Sequence, residues 1–141
     1  MNKVKFSEWT PWSNRTSIHD VKSTKGVYLL AHFPKSAPQG EASPLDQNIV
    51  YIGETHRRSL AKRWNEFHQA AENGVRGHAG GITYHEKYHS IRDNLYVAAY
   101  CHTQLPNAWS ERQQRFYIKY LEAKLIWHFC EKYQNDGLCN K

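Results

Sequence analysis

Two short stretches decide the fold: Gly26–Phe33, GVYLLAHF, and Ile49–Gly53, IVYIG. Both are rich in β-branched and aromatic residues and are bounded by turn-forming residues, a pattern typical of strands. The intervening residues 34–48 hold three of the five prolines, which is typical of a loop. We therefore predict an antiparallel hairpin in which Tyr28 and Tyr51 share one face of the sheet.

The chain that follows this hairpin changes to a helical pattern. Apolar residues at spacings of four, three and four predict an amphipathic helix over 58–72. Residues 74–93 are rich in Gly and His and are expected to form a loop. Residues 94–102 predict a third strand, and residues 110–132 predict a long helix. The apolar residues of the first helix are Leu60, Trp64, Phe67 and Ala71.

The order of predicted elements is strand, strand, helix, strand, helix. This order predicts a small mixed α/β domain, with a three-stranded antiparallel sheet flanked by helices. We expect the domain to span residues 25–141, after an irregular N-terminal extension at 1–24 that docks through its Trp residues. The length of 141 residues fits one such domain.

Composition narrows the functional class. Nineteen Lys and Arg against 13 Asp and Glu give a net charge of +6, which favours polyanionic partners such as nucleic acids. The three cysteines include no CxxC pair, so a disulfide framework or a four-Cys zinc site is not expected. The first residues lack the apolar core of a signal peptide, and no stretch approaches 18 apolar residues. We therefore expect a cytoplasmic protein that does not span a membrane.

The predicted layout brings four polar side chains towards one place. Tyr28 and Tyr51 come from the paired strands, Arg63 from the next helix and Glu122 from the last helix. Hydrolysis of a phosphodiester requires an activated water, a cation on the phosphate, a bound metal and a proton for the leaving oxygen. A Tyr, an Arg, a Glu and a bound metal can supply these.

The chain resembles the GIY-YIG nuclease family in five segments. Gly26–Tyr28 resembles the first signature of the family, and Tyr51–Gly53 matches the second. Residues 59–67 resemble the helix with the phosphate-binding Arg, and residues 121–126 resemble the helix with the metal-binding Glu. Residues 138–140 resemble the terminal segment that ends in Asn. A single signature is weak evidence, but five in the family's order make the resemblance strong.

The resemblance implies a metal-dependent endonuclease that hydrolyses DNA. Tyr28 would deprotonate or orient the attacking water, and Tyr51 would hydrogen-bond near that water or the phosphate. Arg63 would pair with the scissile phosphate, whose geometry suits a planar guanidinium. Glu122 would hold one Mg²⁺ or Mn²⁺ ion, and Asn140 would brace the site by hydrogen bonds. One such site cuts one strand, so a double-strand break would need a homodimer or two visits.

At two positions the sequence does not show which residue fills the family's role. Relatives usually carry a Tyr or His four residues after the Arg, where this chain has Phe67, which has no proton to move. His68 is the candidate to take that role, and Asn135 competes with Asn140 for the bracing role. The Phe67 substitution motivates an alternative function, a nuclease-like domain that binds nucleic acid but cuts poorly.

A second motif favours a different chemistry. Residues 85–89, HEKYH, match the HExxH signature of zinc peptidases. The two residues between Glu86 and His89 are Lys and Tyr, where a core helix would prefer apolar residues. Glu111 is only a candidate third ligand, so we give the peptidase little weight. We expect this region to line a basic loop near DNA instead. The candidate DNA-binding residues are Arg57, Arg58, Lys62, His78, His85 and Lys87.

Overall fold

A computed structural model of the chain describes residues 4–74, 77–134 and 137–140. It shows an antiparallel sheet of four strands in the order β1-β4-β2-β3, with helices on both faces. The strands are β1 (Thr10–Pro11), β2 (Gly26–His32), β3 (Ile49–Thr55) and β4 (Leu95–Cys101). The helices are α1 (Leu60–Asn73), α2 (Ala79–Tyr88) and α3 (Glu111–Lys132), and short 3₁₀ turns span Trp12–Ser17, His89–Asn94 and His102–Gln104.

The mixed α/β class is confirmed, but the prediction of three strands is wrong by one. The additional strand, β1, lies in the segment that was expected to be irregular and pairs with β4 at the edge of the sheet. A two-residue strand is too short to show an alternating pattern. Pro11 is tolerated there because an edge strand can lack one backbone donor.

The Gly- and His-rich stretch also differs from its prediction, because it contains helix α2 rather than a loop. Gly80 and Gly81 lower the intrinsic helix propensity of this segment. The His78 side chain caps the helix by accepting a hydrogen bond from the Gly81 N–H at 3.1 Å. A Cβ at position 81 would lie 2.7 Å from the Cβ of Ala70, so glycine is what lets α2 pack closely against α1.

The sheet separates two apolar layers. Val27 and Leu29 of β2 point into a core shared with α3, whereas Tyr28 and Leu30 point into a core shared with α1 and α2. Both faces of β2 are therefore buried, which explains its nearly continuous apolar sequence. Trp9 joins the first core, so the segment before β2 does dock through aromatic side chains.

The hairpin register places the two signature tyrosines together. Tyr28 pairs with Gly53, and Leu30 pairs with Tyr51, so the tyrosines lie diagonally on one face. Their ring centroids are 5.9 Å apart. The predicted antiparallel hairpin and its shared face are thus confirmed. Within the described residues, no helix is long and apolar enough to cross a membrane.

Candidate active site

The two tyrosines form the buried centre of the candidate site, beside edge strand β3. Tyr28 is fully buried, and Tyr51 is 8% exposed. Gly53 lies directly against them, because a Cβ there would sit 2.4 Å from Cζ of Tyr28 and 2.5 Å from Cε2 of Tyr51. Burial raises the pKa of both phenols, and the charge of Arg63 opposes part of that shift. Both phenols are therefore protonated at neutral pH unless further positive charge is brought close.

His78 is the third ring of this centre, and its tautomer follows from its two hydrogen bonds. Its Nδ1 accepts from the Gly81 N–H, so the ring proton resides on Nε2. Nε2 lies 3.1 Å from the Tyr28 hydroxyl oxygen and donates to it. Burial, with a smaller contribution from Arg63, lowers the pKa of His78 to about 4. The neutral ring is thus a fixed donor to Tyr28 through the ordinary pH range.

His78 was expected to contact DNA, and the structure places it elsewhere. Its side chain is 2% exposed, so its contacts are with the buried centre. Phe67 stands where relatives usually carry a Tyr or His. It is fully buried, and its ring centroid lies 5.3 Å from that of His78. The polar partner of Tyr28 therefore comes from the start of α2 and not from α1. The sequence signal is weak: a histidine two residues before a glycine pair.

His68, the residue proposed to replace the family Tyr or His, is not brought to the tyrosine pair. Its Nδ1 accepts a hydrogen bond from the Trp12 indole at 3.1 Å. Both side chains line a separate cleft of about 380 Å³, together with Arg15. The 3₁₀ turn after β1 holds His68 in this position, which the sequence of α1 alone does not reveal.

Arg63 presents a guanidinium at the rim of the tyrosine pair. Its Nη1 donates to Glu66 Oε1 at 3.0 Å, and Nη1 of Arg58 donates to the same oxygen at 2.9 Å. One carboxylate thus orients two guanidinium groups, and the trio keeps a net positive charge. Each guanidinium has five N–H donors, so both retain donors for a phosphate.

Glu122 faces the site from α3, and its electrostatic environment is unfavourable for a bare carboxylate. Burial raises its pKa to about 7, the charge of Glu54 adds to the rise, and Arg63 opposes it. Glu54 follows the YIG signature directly and was not singled out in the sequence. Its carboxylate also contacts Nδ1 of His56 at 2.9 Å.

These carboxylates fit a hard divalent cation. Mg²⁺ binds through one or two carboxylates, several waters and substrate phosphate oxygens. A cation near Glu122 and Glu54 would offset the burial that chiefly raises the pKa of Glu122 and would relieve its smaller repulsion by Glu54. Among residues 4–74, 77–134 and 137–140, no cluster of three or more His, Cys, Asp or Glu could form an all-protein cage. A site with one carboxylate ligand needs no such cage.

Asn140 braces strand β3. Its side-chain oxygen accepts from the Ile52 N–H at 3.0 Å, and its amide nitrogen donates to the Ile52 carbonyl at 2.7 Å. The Cys139 N–H donates to the Val50 carbonyl at 2.7 Å. Residues 139–140 therefore satisfy backbone groups along the exposed edge of β3, next to Tyr51. The competing Asn135 lies outside the described residues.

Two adjoining grooves carry the predicted DNA-contacting arginines. The first, of about 240 Å³, is lined by Glu54, Thr55, His56, Arg57, Arg58 and Arg63. The second, of about 310 Å³, is lined by His56, Arg57, Arg112, Arg115, Phe116 and Lys119. Shared walls at His56 and Arg57 make them one basic surface, which we call the basic groove. Lys62 is exposed on α1, on the same helix as Arg63.

The cations that α3 contributes to the basic groove were not predicted individually. Arg112, Arg115, Lys119 and Glu122 follow at spacings of three, four and three, which places them on one face of the helix. That spacing was the signal available in the sequence. It brings the metal-ligand candidate and three cations to the same side of α3.

His85 and Lys87 make structural contacts on α2. The His85 ring donates from Nδ1 to the Ala71 carbonyl at 2.7 Å, and Lys87 Nζ donates to the Leu138 carbonyl at 3.4 Å. The rings of His85 and His89 approach to 4.6 Å. No third ligand joins them within the described part of the chain, so the HExxH match gains no zinc site there.

Comparison with known proteins gives no separate indication of function, which must be inferred from the side chains of the site. No protein-family model, no curated protein and no solved structure matches the chain.

Proposed function

We propose that this chain is a metal-dependent endonuclease of the GIY-YIG type that hydrolyses DNA phosphodiester bonds. One observation carries the proposal. The ring centroids of Tyr28 and Tyr51, from β2 and β3, lie 5.9 Å apart, and the charges of Arg63 on α1 and Glu122 on α3 act on both hydroxyls. Phosphodiester hydrolysis can use such a set of groups at one edge of a sheet: a buried phenol pair, a guanidinium and a carboxylate whose pKa is raised.

The basic groove supplies the binding surface for the substrate. Its Arg and Lys side chains neutralise phosphates, which releases counterions and makes binding strongly dependent on salt. Arg63 lines this groove, and its charge acts on both tyrosine hydroxyls, so a phosphate bound to Arg63 would lie on the groove side of the tyrosine pair. Its fork of N–H donors suits two phosphate oxygens at once.

The buried centre handles the proton of the attacking water. His78 donates to the Tyr28 oxygen, and such a donor stabilises a phenolate more than a phenol. The charge of Arg63 acts in the same direction. A Mg²⁺ or Mn²⁺ ion held by Glu122 would supply Lewis-acid charge that stabilises the phosphate in the transition state. Once this positive charge has released the phenol proton of Tyr28 to solvent, the phenolate takes the proton of the attacking water as the new P–O bond forms. The bond to the leaving oxygen breaks, that oxygen takes a proton from solvent, and Arg63 holds the phosphate oxygens that gain charge.

Nicking of supercoiled plasmid DNA in Mg²⁺ tests the proposal. We expect wild type to nick, and Arg63→Ala and Glu122→Gln to nick at least about 100-fold more slowly, as when one transition-state contact is lost. Arg92→Ala is the matched control, since it removes an arginine that lines the separate cleft and pairs with Glu72. Equal activity in wild type and Glu122→Gln would place the activity outside this site. A nicked product indicates a single site, and an immediate linear product indicates a homodimer.

A second candidate is a nucleic-acid-binding module that does not cut. Phe67 favours it, because that buried ring provides no proton-moving group on α1. Such a module would bind plasmid in Mg²⁺ and in EDTA alike, and would leave the DNA intact. Binding without nicking, with Arg63→Ala reducing the binding, would establish this second function.

A further inference from the structure

Helix α3 carries three large aromatic side chains that face solvent. Phe116 is 62% exposed, Tyr120 is 56% exposed and Trp127 is 61% exposed. Their spacings of four and seven place them on one face of the helix, which we call the aromatic stripe. The buried residues of α3 lie on the opposite face: Ile118, Leu121 and Phe129. The stripe therefore contributes little to the core, and an aligned row of exposed rings indicates a contact surface.

Cations accompany the rings. The ammonium of Lys119 lies 5.5 Å from the Phe116 ring centroid, and that of Lys124 lies 5.9 Å from the Tyr120 ring centroid. Both distances fall within the range of a cation–π contact. A ligand for this surface thus meets flat apolar faces, with a positive charge beside each of the first two rings.

The aromatic stripe is continuous with the basic groove. Phe116 lines the groove beside Arg112, Arg115 and Lys119. The same ring also lines a shallow hollow of about 370 Å³, with Trp109, Gln113, Tyr117 and Tyr120. A strand that leaves the groove past Phe116 reaches the stripe directly, because that ring lines both the groove and the hollow.

Charge decides between the possible occupants. Pairing the stripe with that of a second copy would bring the lysines and arginines beside it close to those of the copy, which is repulsive. A DNA duplex offers phosphates, but its base faces are stacked inside and cannot cover the rings. A single strand offers both, because unpaired bases stack on aromatic side chains while phosphates contact Lys and Arg.

We propose that the aromatic stripe binds unpaired nucleotides of a DNA strand whose duplex portion lies in the basic groove. Binding of unpaired nucleotides by the stripe does not depend on the proposed nuclease function. A preference for cleaving DNA that has an unpaired extension does depend on it. Phe116 marks the point where duplex gives way to single strand. Tyr120 and Trp127 stack on the bases that follow.

Fluorescence anisotropy in EDTA measures this binding without cleavage. The probes are a labelled oligothymidine of about 12 nucleotides, a blunt duplex, and the same duplex with a single-stranded extension. We expect Trp127→Ala and Tyr120→Ala each to weaken oligothymidine binding by roughly 5- to 150-fold, the range for loss of one stacked base. The affinity for the extended duplex should fall by a similar factor, and the affinity for the blunt duplex should change by less than about twofold.

Ile91→Ala is the matched control, because it truncates another exposed apolar side chain on the turn after α2. Equal oligothymidine affinity in Trp127→Ala and Ile91→Ala would overturn the proposal. A dimer in sedimentation that dissociates in Trp127→Ala, with DNA affinity unchanged, would overturn it in favour of a second copy. Loss of the nuclease function alone leaves the anisotropy results intact, and failure of the stripe alone leaves plasmid nicking intact.

Discussion

The change Glu122→Gln should stabilise the metal-free protein at alkaline pH. Burial raises the pKa of Glu122 from 4.5 to about 7. Between these values the folded state binds more protons than the unfolded state, so the free energy of unfolding falls as pH rises from about 4.5 to 7. At about 1.4 kcal/mol per pKa unit, the full penalty of the charged carboxylate reaches about 3 kcal/mol above pH 7. Because Glu122 keeps some solvent contact, we expect Glu122→Gln to raise the free energy of unfolding by about 1–3 kcal/mol above pH 7.

Urea unfolding in EDTA at pH 5 and pH 8 measures this penalty. Gln resembles the protonated Glu side chain, so the two proteins should be nearly equal in stability at pH 5. At pH 8 the variant should be more stable by the amount given above, and histidine titrations common to both proteins cancel in the difference. Mg²⁺ at about 100 times its Kd should then stabilise wild type alone, by about 2.7 kcal/mol. A stability difference that is the same at both pH values would refute the reasoning on burial. Equal stabilisation of both proteins by Mg²⁺ would refute the assignment of Glu122 as metal ligand.

Three further changes test the surroundings of the site. His78→Asn keeps an N-cap for α2 but removes the donor to the phenolate, so plasmid nicking should slow by about 10- to 150-fold with DNA affinity unchanged. Gly80→Ala sets a Cβ 2.3 Å from Cε1 of Tyr51; urea unfolding should show a loss of about 1–3 kcal/mol from overpacking, despite the better helix propensity of Ala, and a gain in stability would contradict the packing. Asn140→Ala removes the acceptor of the Ile52 N–H, so hydrogen exchange at that amide should accelerate, and unchanged exchange would mean that the brace is not needed.

The long elements of this fold could be predicted because their periodicity is strong. Helix α1 has four apolar residues on one stripe, and the hairpin strands are bounded by turn residues on both sides. Strand β1 could not be predicted, since two residues carry no period and the pairing depends on β4 far along the chain. Helix α2 was missed because Gly80 and Gly81 argue locally against a helix. Its formation is decided by close packing on α1 and on Tyr51, which no local pattern records.

The candidate site also has a part that the sequence could predict and a part that it could not. The shared face of Tyr28 and Tyr51 follows from strand pairing, which sequence can indicate. The contact of His78 with Tyr28 spans 50 positions and depends on how α2 docks, so the residue was expected at the surface. Glu54 was overlooked because its importance lies in its charge near Glu122, and that proximity depends on how α3 packs against β3.

The most direct test of the central claim is the single-turnover rate of plasmid nicking by Tyr28→Phe. The change removes one oxygen atom from a fully buried ring and leaves the basic groove intact. A urea unfolding curve verifies the fold, because the unpaired His78 N–H is expected to cost about 1–3 kcal/mol. If Tyr28 handles the water proton, nicking should slow by about 10²- to 10⁴-fold while DNA affinity stays the same. Nicking at the wild-type rate by a folded Tyr28→Phe protein would contradict the proposed active site.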